Sequence, residues 1–294
     1  MTAAPPTTKH KAFSLSRIWA IASNTLLELI RLKVFYFLLL FSLVVIGVTF
    51  FYRDIFQDEF QSLKDVSLGA MWIFTLLLSI LPTAMLLPKD LEDRTLYTIL
   101  AKPVPRFEYL LGKFVGVLLL LFIAVSLMST VFLTVLYFRE NIALAEVARL
   151  PPDLRPGELA RIKATAFTES LVPGIIVVYL KGAVCASLTL LLSTFASSMI
   201  FTIIVSVVVQ IIGHVQPIAR DYMLNNMNVS ALARIFLALV ALLIPDLTAF
   251  SLVDDMVAGN AISFDLFART AALGGVYVGF YFFVAYFVFW GKEL

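Results

Sequence analysis

Long stretches without a single Asp, Glu, Lys or Arg decide what this chain can fold into: 34–52, 67–88, 114–138, 182–219 and 270–291. A helix needs about 20 apolar residues to cross roughly 30 Å of hydrocarbon, and each stretch meets or approaches that length. The run 182–219 is too long for one helix. Its cluster Ser193, Thr194, Ser197 and Ser198 offers a break, giving spans at 171–192 and 199–217. Composition agrees, because 61% hydrophobic and 14% charged residues, with a mean hydropathy of +0.97, are outside the range of soluble domains. The expected fold is an all-α membrane protein of six transmembrane helices at 34–52, 67–88, 114–138, 171–192, 199–217 and 270–291. Tyr277, Tyr281, Tyr286 and Trp290 supply interfacial aromatics to the last span. The apolar piece 235–245 is too short to cross and reads as a re-entrant or interfacial external segment.

Six crossings put both termini on one side, and flanking charges choose it. Lys9, Lys11, Arg17, Arg31 and Lys33 face a single acid, Glu28, before the first span; the loop after it carries Asp54, Asp58, Glu59 and Asp65 against Arg53 and Lys64. Asp246, Asp254, Asp255 and Asp265 mark the segment before the last span as external too. Both termini and the loop 89–113 are therefore expected in the cytoplasm of a cell whose inner membrane holds the chain, with loop 139–170 outside. No cleavable signal peptide is expected. Residues 1–12 read as a disordered tail. In 13–33, Leu15, Ile18, Trp19, Ala22, Leu26, Leu29 and Ile30 recur at helical spacing opposite Arg17, Asn24, Glu28 and Arg31, which makes an amphipathic elbow helix on the inner surface. It is either a membrane float or also a contact for a cytoplasmic subunit.

The search for chemistry excludes more than it finds. A net charge of +2 and no basic stripe argue against a nucleic-acid partner. The lone Cys185 has no disulfide mate and lies in an apolar run where thiols are inert. No phosphate-binding loop, zinc helix, nucleophile elbow or metal-ligand spacing occurs. His10 and His214 are the only histidines. The chain is read as no enzyme, with no metal or cofactor of its own.

Polar groups inside spans are costly and call for an explanation. Lys181 falls near the middle of the fourth span; it either faces a partner or cavity, or snorkels outward from a span that begins later. Asp246 and Glu169 are candidate counter-charges. Gln210 and His214, four apart, share one face of the fifth span, where inter-helix hydrogen bonding competes with a role in a substrate path. Pro82, Pro88, Pro173, Pro217 and Pro245 mark kinks or helix ends, and Gly274, Gly275 and Gly279 allow close helix approach.

The loop 89–113, KDLEDRTLYTILAKPVPRFEYLLGK, is an island of charge between two uncharged spans. Asp90, Glu92, Asp93 and Arg94 precede Thr95; Leu96, Ile99 and Leu100 at helical spacing permit a turn or two of amphipathic helix, which the prolines stop. Such a helix suits a partner's groove. A solvated loop that merely enforces topology is the plainer alternative.

These residues resemble the ABC-2 type permeases, the membrane subunits of ATP-binding-cassette transporters. Asp90 and Glu92 stand at the acidic positions of that family's loop, Thr95 at its Thr, Pro103 and Arg106 in its Pro segment, and Gly112 with Lys113 at its end. Arg94 replaces the usual Gly, which is similar to the permeases of copper-enzyme maturation and gliding. The resemblance extends to the order of elements along the chain. It implies that two permease copies pair, as a homodimer or heterodimer, each on a separate cytoplasmic ABC ATPase that binds ATP and Mg. A coupling helix near Glu92 to Leu100 would sit in a cleft of that ATPase and move the spans. Asp90, Glu92, Asp93, Arg94, Thr95, Leu96 and Leu100 form its expected coupling surface, and the cargo would be exported through the membrane lipid barrier. Two alternatives stay open: an ATPase-driven mechanical or regulatory subunit without cargo, and a secondary carrier or channel, which would usually show inverted repeats or more intramembrane charge.

Overall fold

The computed structural model of the protein describes residues 13–54, 59–92, 105–196, 198–225, 230, 232, 235, 244–250 and 263–291. Its long elements are helices: α1 (Leu15–Ile30), α2 (Lys33–Val48), α3 (Glu59–Glu92), α4 (Arg106–Val147), α5 (Arg155–Thr165), α6 (Leu171–Phe195), α7 (Met199–Asn225) and α8 (Phe264–Gly291). Six of them, all but α1 and α5, are long and apolar enough to cross a membrane. That is a multi-pass architecture.

α6 is the axis of the bundle. Every residue from Lys181 to Leu190 is buried, which its many small side chains, Gly182, Ala183, Cys185, Ala186 and Ser187, make possible by letting neighbours approach on all sides. α3 and α8 pack along it, α2 and α4 close the bundle beyond α3, and α7 leans on α3 and α6. α7 is a loose wall, as α2 and α8 are: 28% of its apolar window is buried inside the protein, against 67% for α3 and for α6. Phe201, Ile204, Val208, Ile211, Val215 and Ile218 line its exposed side.

The helices run past the uncharged stretches. α3 starts at Glu59 rather than near Ser67, and α4 covers 42 residues instead of 114–138. Charge marks where hydrocarbon ends, not where a helix ends: segments such as Arg139–Val147 contain good helix formers and continue once their charges reach water. α4 is about 63 Å long at 1.5 Å per residue, so roughly half of it lies beyond the hydrocarbon. Within the expected outer loop 139–170, α5 is a further short helix. At that end Arg139 Nη2 reaches Glu59 Oε2 at 2.5 Å and stands 5.6 Å from the Phe50 ring, tying α4 to α3.

At the opposite end, α3 stops and α4 begins. Arg106 donates to the carbonyls of Trp290 at 2.6 Å and Phe289 at 3.4 Å, so α8 finishes beside the start of α4. The guanidinium satisfies carbonyls that a helix C-terminus leaves without intrahelical donors. α1 packs here too. Gly112 and Gly116, one turn apart, permit it: a Cβ at Gly112 would lie 2.7 Å from Ile21 Cβ, and one at Gly116 2.7 Å from Thr25 Cβ and 2.9 Å from the Ala22 carbonyl. Ile18, Ala22, Thr25 and Leu29 form the buried side of α1.

A second close approach occurs within α7. Pro217 has no N–H to give the Gly213 carbonyl, and the backbone N–H of Leu247 donates to that oxygen at 3.3 Å instead. Gly213 makes room, since a Cβ there would sit 3.0 Å from both Leu247 Cδ1 and the Pro245 carbonyl. Phe250, at the end of the 3-10 turn Thr248–Phe250, is buried with Val177, Val184, Cys185, Leu188 and Tyr281. It lies 3.1 Å from where a Cβ of Gly274 would be, while Gly275 and Gly279 face open space. Gly274 is ten residues into α8, so this non-helical stretch sits about 15 Å inside the bundle. Irregular backbone at membrane depth is tolerated where protein covers it. The sequence expectation of a re-entrant piece at 235–245 falls largely outside the described residues; what is described at depth is its continuation, Pro245 to Phe250.

Candidate functional site

Two polar clusters are built into the bundle, one at the end carrying α1 and one halfway along α6. In the first, Glu28 of α1 receives Lys89 of α3 at 2.7 Å and lies 3.7 Å from Lys113 of α4. Lys113 also meets Asp90 of α3 at 2.8 Å, and the Tyr109 hydroxyl donates to the same Asp90 carboxylate. One turn earlier on α4, Glu108 accepts from Arg17 Nε at 2.6 Å, from Arg17 Nη2 at 2.8 Å and from the Ser14 backbone N–H at 2.8 Å. Asp90, Glu108, Tyr109 and Lys113 are all buried. Burial pushes the Glu28 carboxyl up, but the hydrogen bond from Lys89 and the charges of Lys113 and Lys89 outweigh it and hold it below its ordinary value. The hydrogen bond to Glu108 raises the Arg17 guanidinium. Paired and hydrogen-bonded in this way, buried charge becomes a fixed brace joining α1, α3 and α4.

This brace holds the root of the loop singled out by sequence. Asp90 is turned inward and engaged by Lys113 and Tyr109, and Glu92 closes α3. Asp93, Arg94, Thr95, Leu96 and Leu100 lie outside the described residues. Of the polar face read for α1, Arg17 and Glu28 bond back into the protein, whereas Asn24 and Arg31 are exposed. Its apolar residues divide as well: Ile18, Ala22 and Leu29 pack on the bundle, and Leu15 and Trp19 are exposed.

The second cluster surrounds Lys181. Ten residues into α6, the side chain is about 15 Å from the helix start and 6% exposed, so it does not snorkel. Its Nζ lies 3.9 Å from the centre of the Trp72 ring on α3, a cation–π contact. Trp72 in turn meets the His214 ring of α7 at 5.8 Å. His214 Nδ1 is 2.9 Å from the Gln210 carbonyl, which can only accept, so Nδ1 carries the proton. Cys185, one turn beyond Lys181, donates its thiol to Gln210 Oε1 at 3.0 Å. That contact joins α6 to α7.

Neither acid considered as a counter-charge takes that role. Asp246 accepts from Thr248 and Ala249 and lies 3.7 Å from Arg220. Among the described residues, Lys181 has no carboxylate within ion-pairing distance. The buried Gln210 Nε2, Thr75 Oγ1 and Ser206 Oγ likewise have no hydrogen-bond partner among them. Sequence reading found Lys181, Gln210 and His214 but missed Trp72, Thr75 and Ser206. A signal was present for Ser206: Thr202, Ser206 and Gln210 follow at four-residue spacing and form the buried stripe of α7.

Among the described residues, no three His, Cys, Asp or Glu side chains gather where they could hold a metal ion. No protein-family model matches the chain, and no curated protein matches it.

Proposed function

We propose that this chain is the permease subunit of an ABC transporter, with a separate cytoplasmic ATPase hydrolysing ATP with Mg and driving export of a substrate across the membrane. The reading rests on the resemblance of the 89–113 segment to the ABC-2 permease loop and on six helices able to span a membrane. One observation carries it further: the ion-paired brace of Glu28, Lys89, Asp90 and Lys113 fixes the ends of α3 and α4 on either side of that loop. A loop that transmits work needs a rigid root, and buried satisfied charge supplies one. The segment near Glu92 to Leu100 then acts as the coupling helix, and Glu92, Asp93, Arg94 and Thr95 touch the ATPase. Asp90 positions this element from inside, while Leu96 and Leu100 seat it in the ATPase cleft.

In this reading α1 is the elbow helix on the cytoplasmic membrane face. Exposed Trp19 and Leu15 turn toward lipid, and Asn24 and Arg31 toward water. Two copies pair, each with its own ATPase. Charge reversal at the loop tests the function: Glu92→Arg and Arg94→Glu should abolish both co-purification with the ATPase and stimulation of its hydrolysis. Unchanged values for both variants would overturn the assignment.

A further inference from the structure

We propose that the Lys181 cluster is an intramembrane binding site for an anionic headgroup, a phosphate or carboxylate, entered between α7 and the α3–α6 pair. Four groups carry it. Lys181 presents an ammonium half a membrane deep against the Trp72 face, with no carboxylate in ion-pairing distance among the described residues, and a charge so placed is costly unless it meets an opposite charge. Gln210 has spent its oxygen on Cys185 and still has an N–H2 to donate. Thr75 and Ser206 hold buried hydroxyls without partners among the described residues. Thr75, three residues after Trp72 on α3, lies against Gly182, the residue after Lys181, with its Cγ2 2.5 Å from where a Cβ would be.

Every one of these groups is a donor or able to donate, and none of the described carboxylates answers them. That is the chemistry of an oxyanion site. The charge of Asp246 is offset by Arg220 at 3.7 Å, and its other oxygen is held by Thr248 and Ala249. α7 supplies both Gln210 and Ser206 and is buried in the protein far less than the central pair α3 and α6. Its outward displacement opens the cluster toward lipid without disturbing the central pair α3 and α6. The site does not depend on an ATPase being the partner.

Binding is measured on the intact chain, without nucleotide, in zwitterionic phosphatidylcholine nanodiscs. Trp19 and Trp290 are exposed, so Trp19→Phe with Trp290→Phe leaves Trp72, beside Lys181, as the chain's single tryptophan, excited selectively over the tyrosines. Titration with dodecyl phosphate or dodecanoate should change Trp72 emission saturably, and dodecanol at equal mole fraction should not. Lys181→Met should weaken the apparent Kd about tenfold or more, whereas Lys181→Arg stays within a few-fold. An inorganic phosphate arm separates the sources: a response to dodecyl phosphate alone identifies a lipid-like anion, and an equal response to inorganic phosphate identifies a free one. Dodecanol acting like dodecyl phosphate, or Lys181→Met titrating like the parent, overturns the proposal. If Lys181→Met does not fold, Gln210→Leu decides: a several-fold weaker Kd supports the site and an unchanged one overturns it.

Discussion

Lys113 has Asp90 at 2.8 Å and Glu28 at 3.7 Å, while Lys181 has the Trp72 ring at 3.9 Å and no described carboxylate in reach. The two lysines are equally buried, 5% and 6% exposed. Their surroundings differ in completeness. At the α1 end each buried charge meets its opposite, and removing Lys113 takes the cation from buried Asp90. Around Lys181 the donors outnumber the acceptors, and nothing is stranded by removing the ammonium. Satisfied charge holds a structure in place; unsatisfied charge is tolerated where something else comes to bind.

The sharpest way to break the comparison is to neutralise each lysine. Lys113→Met removes the cation beside buried Asp90 and should cost about 3–5 kcal/mol, seen as a large drop in melting temperature of the purified protein. Next in size, Gly116→Leu pushes against Thr25 and the Ala22 carbonyl and should cost about 1–3 kcal/mol, with α1 becoming accessible to protease. Lys181→Met should leave the melting temperature unchanged or raise it, because a lone charge leaves the membrane interior. A loss as large as that for Lys113→Met would erase the distinction between the clusters.

The smallest effect concerns pH. Glu28 is held below its ordinary value of 4.5, so the stability it adds is present above that value and is lost as pH falls through its lowered folded value. Melting curves from pH 7 downward should therefore fall more steeply for the parent protein than for Glu28→Gln. Parallel curves would show that Glu28 does not hold α1 to the bundle.

Much of the spanning architecture was legible because hydrocarbon forbids charge, and the uncharged runs follow directly. The true ends of α3 and α4 were not legible, since Glu59 and Arg139 form an ion pair with each other and are ordinary helix residues once paired. Lys181 stood out as a charge within a span. Trp72 and Thr75 did not, because an aromatic or a threonine in an apolar run is unremarkable until a neighbour is placed beside it. Glu108, Tyr109 and Lys113 looked like the polar margin of a loop, yet Gly112 and Gly116 draw α1 over them and bury them. The close passage of Leu247 past Gly213 depends on contacts across more than thirty residues, which local pattern does not encode.

Whether work enters at the loop between α3 and α4 is tested most directly by purifying the intact chain in mild detergent from the cells that make it and identifying what remains bound. A subunit carrying a G-x-x-x-x-G-K-[ST] phosphate loop should co-purify in near-equal amount with the parent protein and be lost with Glu92→Arg. A folded chain that moves a substrate, or binds its partners, with no nucleotide-binding subunit present would contradict it.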